Sequence, residues 1–446
     1  MEKNTRHNVF WFRRDLRLND NKGLFRALEG NRPVIPLFVF DKKILDRLED
    51  EDDARVHFIH EQITRLDREL SSSGSGLLVK YGEPENVWKE LIIELDIEEV
   101  FTNRDYEPYA VKRDDAVKNI LRDSGIAFHT FKDQVITEAG EVVKEDGGPY
   151  VVFTPYKNKW LEVVRDGCDK LQSSPFFNTY KTKSLFENFS NKVPGGSIPT
   201  LEEMGFKKSN IPFPDMTVSQ KIISQYGKNR DYPGRDATSR LGPHYRFGTI
   251  SIREKALKAS RLDDTYLNEL IWRDFYSQIL AHFPKVVDQP FREKYERVEW
   301  INDEEQFEKW CSGKTGYPLV DAGMRQLNTT GYMHNRVRMV TASFLTKHLL
   351  IDWRWGEVYF ARKLLDFELA SNNGGWQWAA GCGTDAAPYF RIFNPESQQK
   401  KFDKDFEYIR QYVEEFESEE YPEKIVDHKF ARKRCLEVYK KALKGD

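Results

Sequence analysis

The first 131 residues alternate between short apolar runs and amphipathic stretches, and this alternation limits the folds open to the chain. The apolar runs lie at residues 9–12, 34–40, 76–79, 99–102 and 127–131, with amphipathic stretches such as 54–70 and 87–95 between them. Strand-length apolar runs separated by helical stretches predict strand–helix–strand units around a parallel, Rossmann-like sheet. No Gly-x-Gly-x-x-Gly follows the first run, so the standard dinucleotide-binding fingerprint is absent.

The pattern changes after residue 131. Residues 132–200 contain turn-forming clusters and little sustained periodicity, which predicts a connector between domains. Beyond it, apolar residues recur three and four positions apart, as in 265–282, 317–329, 335–350 and 355–370. This period predicts helices. We therefore expect an α/β domain over residues 1–131, a connector over 132–200 and an all-α domain over 201–446.

Composition excludes several classes of protein. The 446 residues are 39% hydrophobic and 32% charged, as in globular proteins. No apolar run reaches the roughly 18 to 20 residues that span a bilayer, and residues 1–8 are polar, so we expect a cytoplasmic protein. The four cysteines are scattered without metal-ligand spacing, so no metal site is expected. Because the net charge is only -3, any surface for a polyanion must be a local basic patch.

The segment from Asn372 to Trp378 combines amides, a glycine pair and alternate tryptophans, and Arg391 follows it closely. Glycines allow a flat group or another backbone to approach, and indoles offer stacking faces for a cofactor or a nucleobase. The structural alternative is a buried aromatic cluster at a helix junction.

Glu269, Trp272 and Arg273 are spaced i, i+3 and i+4 on one predicted helix, so a carboxylate, an indole and a guanidinium share a face. The alternative interpretation is an ordinary surface helix with a Glu269–Arg273 pair.

A second cluster, Asn335, Arg336, Arg338 and Met339, opens an otherwise apolar helix. Arginines at a helix start are unfavourable against the helix dipole, so they require anionic partners, for which Asp366 is one candidate.

The third cluster runs from Thr238 to Gly242 and is preceded by Tyr226. Its hydroxyls, backbone amides and cation at a helix start suit a pyrophosphate. Thr238 and Ser239 as a plain helix N-cap are the alternative.

These clusters, together with Trp11-Phe12-Arg13-Arg14-Asp15-Leu16-Arg17 near the start, resemble the photolyase/cryptochrome family over essentially the whole chain. Within the family the match is nearest to the class I cyclobutane pyrimidine dimer photolyases. Met339 stands where 6-4 photolyases carry histidine, and Asn372 stands where most animal and plant cryptochromes carry cysteine or aspartate. Glu269 with Trp272 matches the dimer-contacting pair of the repair enzymes.

The resemblance implies that the helical domain binds FAD. Asn372 would face the flavin N5, and Asp366 would pair with Arg338 beneath the ring system. The implied cofactor-binding residues are Tyr226, Thr238, Ser239, Arg240, Leu241, Gly242, Arg273, Asn335, Arg338, Asp366, Glu368 and Asn372. Phe367-Glu368 departs from the Gly-Asp that members of this class often have after the flavin-facing aspartate, so the carboxylate lies on a longer arm.

The implied function is light-driven repair of pyrimidine dimers in DNA, with Glu269, Asn372 and Met339 as catalytic residues. The implied substrate and DNA contacts are Glu269, Trp272, Asn335, Arg336, Met339, Trp378, Arg391 and Lys401, with Lys400 a further candidate. The protein is expected to be a monomer whose partner is UV-damaged DNA. The alternative is a blue-light photoreceptor with the same fold and FAD; such proteins usually extend beyond the helical domain, whereas this chain stops at Asp446.

Two further roles come from the same resemblance. Trp376, Trp353 and Trp300 match a chain that carries electrons from the surface to the flavin, whereas Trp310 has no assigned role and is expected to be structural. Asp41 and Glu107 match positions near an antenna chromophore, which would be a folate or an 8-hydroxy-deazaflavin. An empty antenna pocket is an equally acceptable alternative.

Overall fold

A computed structural model describes residues 6–168, 170–194 and 196–444. The chain divides into two compact units that it enters more than once. Unit 1 consists of Met1–Glu141, Leu161–Thr217 and Leu241–Ser260, and unit 2 of Val142–Trp160, Val218–Arg240 and Arg261–Asp446. The residues predicted as a connector are therefore shared between both units. Residues 1–5 of the polar start lie outside the described residues.

Unit 1 contains a parallel sheet of five strands, which confirms the predicted α/β class. The strands are β1 (His7–Phe12), β2 (Val34–Asp41), β3 (Leu78–Gly82), β4 (Ile97–Asn103) and β5 (Ala127–Phe131). Their order is β3-β2-β1-β4-β5, so the central β1 pairs with both β2 and β4. The apolar runs formed strands because both faces of a helix-covered parallel sheet are buried, as the unbroken burial of β2 shows. On one face, Val9 and Trp11 pack with Ile35 and Val100.

The α-helices follow in chain order. They are α1 (Lys22–Leu28), α2 (Lys42–Leu45), α3 (Ala54–Ser71), α4 (Pro84–Glu94), α5 (Pro108–Asp123), α6 (Phe153–Arg165), α7 (Gln220–Ser224), α8 (Tyr226–Asn229), α9 (Gly242–Arg246), α10 (Ile252–Ala259), α11 (Asp264–His282), α12 (Glu304–Cys311), α13 (Pro318–Thr330), α14 (Asn335–Ser343), α15 (Trp353–Lys363), α16 (Leu369–Ala380), α17 (Pro395–Phe402), α18 (Glu407–Tyr412) and α19 (His428–Lys444). Unit 2 is helical, as predicted. None of the helices within the described ranges is long and apolar enough to cross a membrane.

The predicted helix over residues 355–370 is wrong. Helix α15 ends at Lys363, and α16 begins only at Leu369. Leu364 leaves the helical conformation, and the Leu365 amide donates to the Gly331 carbonyl at 2.9 Å rather than continuing the helix. The apolar spacing continued through this break because Leu364 and Leu365 are both buried in unit 2. The break matters because Asp366 and Glu368 lie in it.

Two other expectations need correction. The α-helical part of the predicted 335–350 helix ends at Ser343, and residues Phe344–Leu349 form a π-helical turn that Leu350 closes in a left-handed conformation (φ 50°). The predicted connector also contains α6, a 13-residue helix. The helix was not predicted because the turn-forming clusters on either side of it interrupted the helical spacing of apolar residues over 132–200.

Candidate functional site

Helix α11 carries the first predicted cluster. The helix begins after Asp263, whose carboxylate accepts the Tyr266 amide proton at 2.9 Å. The Glu269 carboxylate is bound by the Arg230 guanidinium from the end of α8, so the interpretation as a Glu269–Arg273 pair is wrong. Burial raises the pKa of Glu269, and the neighbouring Arg230 charge opposes this shift. Glu269 is therefore a partly buried carboxylate, 30% exposed, that is paired with Arg230.

Two arginines are held by the loop between α15 and α16. Arg273 pairs with Glu368 at 2.8 Å, and the Ser371 hydroxyl donates to the other Glu368 oxygen at 3.0 Å. Arg338 pairs with both oxygens of Asp366 at 3.1 and 3.0 Å, which is the partner predicted from the sequence. The longer arm of Glu368 thus still delivers its carboxylate to an arginine.

Asn372 lies in the first turn of α16 and is fixed by Glu357. Its amide nitrogen donates to the Glu357 side chain at 2.8 Å and to the Glu357 backbone carbonyl at 3.1 Å. A backbone carbonyl can only accept, so the NH₂ group must face Glu357. The Asn372 oxygen is left as the atom available to another group, which makes this side chain an acceptor.

The segment Thr238–Arg240 is arranged by aromatic hydroxyls. The Thr238 hydroxyl lies 3.1 Å from the Tyr332 hydroxyl, and the Tyr266 hydroxyl donates to Ser239 at 3.1 Å. Arg240 adopts a left-handed conformation with φ 51°. A left-handed residue among successive backbone amides is typical of anion-binding turns.

Leu241 and Gly242 follow along the chain and belong to unit 1, where Gly242 opens the five-residue helix α9. Leu241 is the N-cap residue of α9, and its side chain makes no cap hydrogen bond. The interpretation of Thr238 and Ser239 as the N-cap is therefore wrong. Tyr226, predicted beside this segment, is buried and packs edge-on against Tyr266, with ring centroids 5.0 Å apart.

Helix α14 presents the second predicted cluster at its first turn. The His334 ring caps the helix by accepting the Arg336 amide proton at 3.2 Å. Arg336 pairs with Asp231 at 2.8 Å, so the expectation that the helix-opening arginines need anionic partners is confirmed for both Arg336 and Arg338. Asn335 is exposed and Met339 is half-buried.

A cationic group forms around Phe402. The Arg336 guanidinium lies 4.4 Å from the Phe402 ring centroid, and the Lys401 ammonium lies 5.0 Å from it. Lys400 and Arg391 are exposed. Trp378 is half-buried, with its ring 6.5 Å from that of Phe393.

The proposed electron-carrying tryptophans differ in burial. Trp376 and Trp353 are each 2% exposed, whereas Trp300 is half-buried and packs edge-on against Tyr439 at 6.0 Å. The Trp376 ring packs edge-on against Trp310 at 6.0 Å and against Phe360 at 4.9 Å. The indole nitrogen of Trp310 donates to the Thr341 carbonyl at 3.2 Å, as a structural core residue would.

The two predicted antenna residues lie at the carboxyl ends of strands in unit 1. Asp41 ends β2 and accepts the Tyr109 hydroxyl proton at 2.7 Å, and burial raises the pKa of Asp41. Glu107 follows β4 and binds Arg14 at 3.0 Å and Arg246 at 2.8 Å. No group of three or more metal-ligating side chains was found within the described ranges.

Several residues of these clusters were missed by the sequence analysis. Arg230, Asp231, Tyr332 and Glu357 come from stretches far along the chain from their partners, and no local spacing connects them. Tyr266 could have been found, since it lies three residues before Glu269 on the same helix.

Two family models match the chain. "DNA photolyase" matches residues 8–175, and "FAD binding domain of DNA photolyase" matches residues 266–419. Among curated relatives, the deoxyribodipyrimidine photo-lyase of Escherichia coli is 37% identical over 98% of this chain and 99% of its own length. That of Halobacterium salinarum is 36% identical over 98% and 99%.

Solved structures agree with this assignment. A bacterial class III photolyase from Agrobacterium tumefaciens has a TM-score of 0.86 and 34% identity, covering 100% of this chain and 99% of its own. An archaeal photolyase from Sulfolobus tokodaii with two FAD molecules has a TM-score of 0.77 and 33% identity, covering 97% and 99%. The chain belongs to the DNA photolyase family. Its assignment to class I within the family stays a prediction.

The polar groups of unit 2 fit FAD, the cofactor of this family. Thr238, Ser239 and the left-handed Arg240 offer hydroxyls and amides for a diphosphate, and Asn372 offers an acceptor oxygen fixed by Glu357. Reduced flavin carries a proton on N5, for which such an oxygen is the matching partner. The hydrogen-bond donors and acceptors that these residues offer therefore match the groups of FAD.

Proposed function

We propose that this protein is a deoxyribodipyrimidine photo-lyase, a carbon–carbon lyase that uses light to repair cyclobutane pyrimidine dimers in DNA. The observation that carries the proposal is the adjacency of Trp272 and Arg273 on α11. Trp272 offers a flat surface for an extruded base, and the next residue is tied to the loop that contains Asp366 and Glu368. One helix thus connects the lesion and the cofactor.

The residues that would hold FAD have been described above. Tyr226 and Thr238 to Arg240 of unit 2, with Leu241 and Gly242 that follow them in the sequence, would bind the diphosphate and ribose. Arg273, Asn335, Arg338, Asp366, Glu368 and Asn372 would surround the remainder. When bound in reduced form and excited by light, FAD supplies the electron that opens the cyclobutane ring and receives it back, so repair involves no net redox change.

The dimer must leave the duplex to reach this site, at a cost of a few kcal/mol that is smallest for a damaged pair. Trp272 and Trp378 contact the extruded bases, and Met339 packs against them. Glu269 hydrogen-bonds the extruded bases or supplies a proton to the dimer. Burial raises the pKa of Glu269, which is the direction that favours a proton donor. Arg230 limits how far the carboxyl group is protonated.

The damaged strand is held through its phosphates. Arg336, Arg391, Lys400 and Lys401 are the proposed contacts, and Arg336 and Lys401 already meet at Phe402. Such contacts position the strand without reading its sequence. They also allow a chain with a net charge of only -3 to bind a polyanion locally.

Electrons reach the flavin from solvent by a separate route through Trp300, Trp353 and Trp376. Trp376→Phe is expected to abolish photoreduction of the oxidised cofactor while largely sparing repair by chemically reduced protein. Absorption spectra under illumination measure the first, and dimer repair measures the second. Equal loss of both would contradict the division of roles.

An antenna chromophore, a folate or an 8-hydroxy-deazaflavin, is proposed near Asp41 and Glu107. We also place the protein in the cytoplasm as a monomer. Extraction of the purified protein with acid, followed by chromatography of the released chromophores, identifies any antenna.

The decisive test mixes reduced protein with an oligonucleotide that contains thymine dimers, in light and in darkness. Repair restores the thymine absorbance only under illumination, because the electron comes from the excited cofactor. No light-dependent recovery would overturn the repair function and leave a photoreceptor as the alternative.

A further inference from the structure

One face of Trp272 is already covered within unit 2. Phe153, at the start of α6, stacks on the indole with ring centroids 3.7 Å apart and planes 5° from parallel. Phe153 is only 8% exposed. No base can enter between two rings at this distance, so an extruded dimer has access only to the remaining surface of Trp272.

The segment that carries Phe153 is clamped onto α11. The Trp160 indole donates to Asp274 at 3.0 Å, and Gln278 donates to the Tyr150 carbonyl at 2.7 Å. The Phe153 ring also packs edge-on against Phe275 at 5.9 Å. Two successive turns of α11 therefore hold residues 150–160, which makes Phe153 a rigid support.

Phe153 also contacts the segment that follows α16. Its backbone amide donates to the Asp385 carboxylate at 3.3 Å. Asp385 adopts a left-handed conformation with φ 45°, which costs energy for a residue with a side chain. The hydrogen bond with Phe153 helps to hold Asp385 in place and connects the Trp272 support with the stretch between Trp378 and Arg391.

We propose that Phe153 is a positioning residue for lesion recognition: it fixes the plane of the Trp272 indole, so that this ring receives a pyrimidine dimer without first being ordered. The inference rests on the proposed repair function. Side chains that are rigid before binding lose less entropy on binding, and this gain applies only to a ligand that uses the ring. Undamaged strands, held through phosphates, do not benefit.

The test uses FAD-loaded protein in darkness and two single-stranded oligonucleotides of one sequence, with and without a thymine dimer. Phe153→Leu is expected to weaken dimer binding about three- to tenfold, the range of an aromatic stacking pair, and to change undamaged binding less than about twofold. Phe153→Tyr, which retains the ring, restores dimer affinity. Phe307→Leu, a partly buried phenylalanine that stacks on Trp310, is the matched control and leaves both affinities unchanged.

If Phe153→Leu lowers the melting temperature, Phe153→Met, whose longer and more flexible side chain can adapt to the site without a ring, is expected to show the same selective loss. Equal weakening of both oligonucleotides, or an unchanged preference for the dimer, would overturn the role of Phe153. The wild-type preference is measured in the same experiment. Its absence would overturn the proposed function itself, so the two failures are distinguishable.

Discussion

At the scale of single residues, Glu368 and its neighbour Phe367 stand where the resemblance to the class I enzymes leads us to expect Gly-Asp. The Glu368 carboxylate serves both Arg273 and Ser371, and the Arg273 and Glu368 side chains are only 11% and 14% exposed. Glu368→Ala removes the carboxylate that pairs with the mostly buried Arg273 guanidinium. We expect the free energy of unfolding to fall by about 3 kcal/mol, as when one member of a buried pair is removed.

Urea denaturation followed by circular dichroism measures this change. The control is Glu299→Ala, which removes the Lys441–Glu299 pair, whose side chains are 69% and 70% exposed. Exposed pairs contribute less than about 1 kcal/mol. Similar losses for the two variants would show that Glu368 has no special structural role.

At the scale of elements, the two neighbouring glycines of α16 differ in how much space surrounds them. A Cβ at Gly374 would lie 2.2 Å from the Tyr276 ring, whereas a Cβ at Gly375 would meet nothing within 4 Å. The sequence predicted that the glycine pair allows a flat group or another backbone to approach closely. At Gly374 the group that approaches is the Tyr276 side chain of α11 rather than a ligand.

Gly374→Ala is expected to destabilise the protein by about 2 kcal/mol through overpacking. Gly375→Ala is expected to stabilise it by about 0.5–1 kcal/mol, because alanine favours a helix over glycine. Thermal unfolding of both variants measures the difference, and neighbouring positions in one helix make them matched controls. Changes of the same sign would contradict the assignment of Tyr276 as the neighbour that requires glycine.

Helix α14 depends on a histidine cap that titrates. Burial lowers the pKa of His334 to about 4, while an unfolded histidine binds its proton near 6.5. Between these values the unfolded state holds more protons, so this contribution to stability is complete above about pH 6.5 and is lost as the pH falls through about 4. The difference between the unfolded and folded pKa values of His334 corresponds to about 3 kcal/mol in the free energy of unfolding.

His334→Asn keeps a good N-cap residue and removes the titrating ring. We expect the loss of stability between pH 7 and pH 4 to be about 3 kcal/mol smaller in this variant than in the wild type. Urea denaturation at a series of pH values measures it. His282→Asn, at an exposed position at the end of α11, is the control. An unchanged pH profile in His334→Asn would exclude His334 as an acid-sensitive group.

At the scale of the whole molecule, the sequence predicted those features that depend on the local spacing of apolar and polar residues. The five strands follow from apolar runs that fit a buried sheet, and Trp272 and Arg273 follow from helical spacing. The break between α15 and α16 was missed, because leucines at positions 364 and 365 serve a core equally well in or out of a helix. Arg230 and Phe153 were also missed, since tertiary contacts brought them to α11 from distant stretches.

The net charge of the whole chain is only -3 and gives no general attraction for a polyanion, so DNA binding must depend on local basic residues. Each phosphate contact to a single strand steepens the salt dependence of log K by about 0.7. Arg391→Ala is therefore expected to reduce that slope by about 0.7 and to weaken damaged and undamaged strands equally. Trp272→Ala is expected to weaken the damaged strand alone, with the slope unchanged, because stacking releases no counterions.

Affinities for the two oligonucleotides over a series of salt concentrations test both variants together. A selective loss in Arg391→Ala would mean that Arg391 contacts the lesion rather than the backbone. A changed slope in Trp272→Ala would mean that the indole orders phosphate-binding groups elsewhere. Only the predicted pair of results is consistent with recognition divided between a stacking surface on α11 and separate cations that hold the strand.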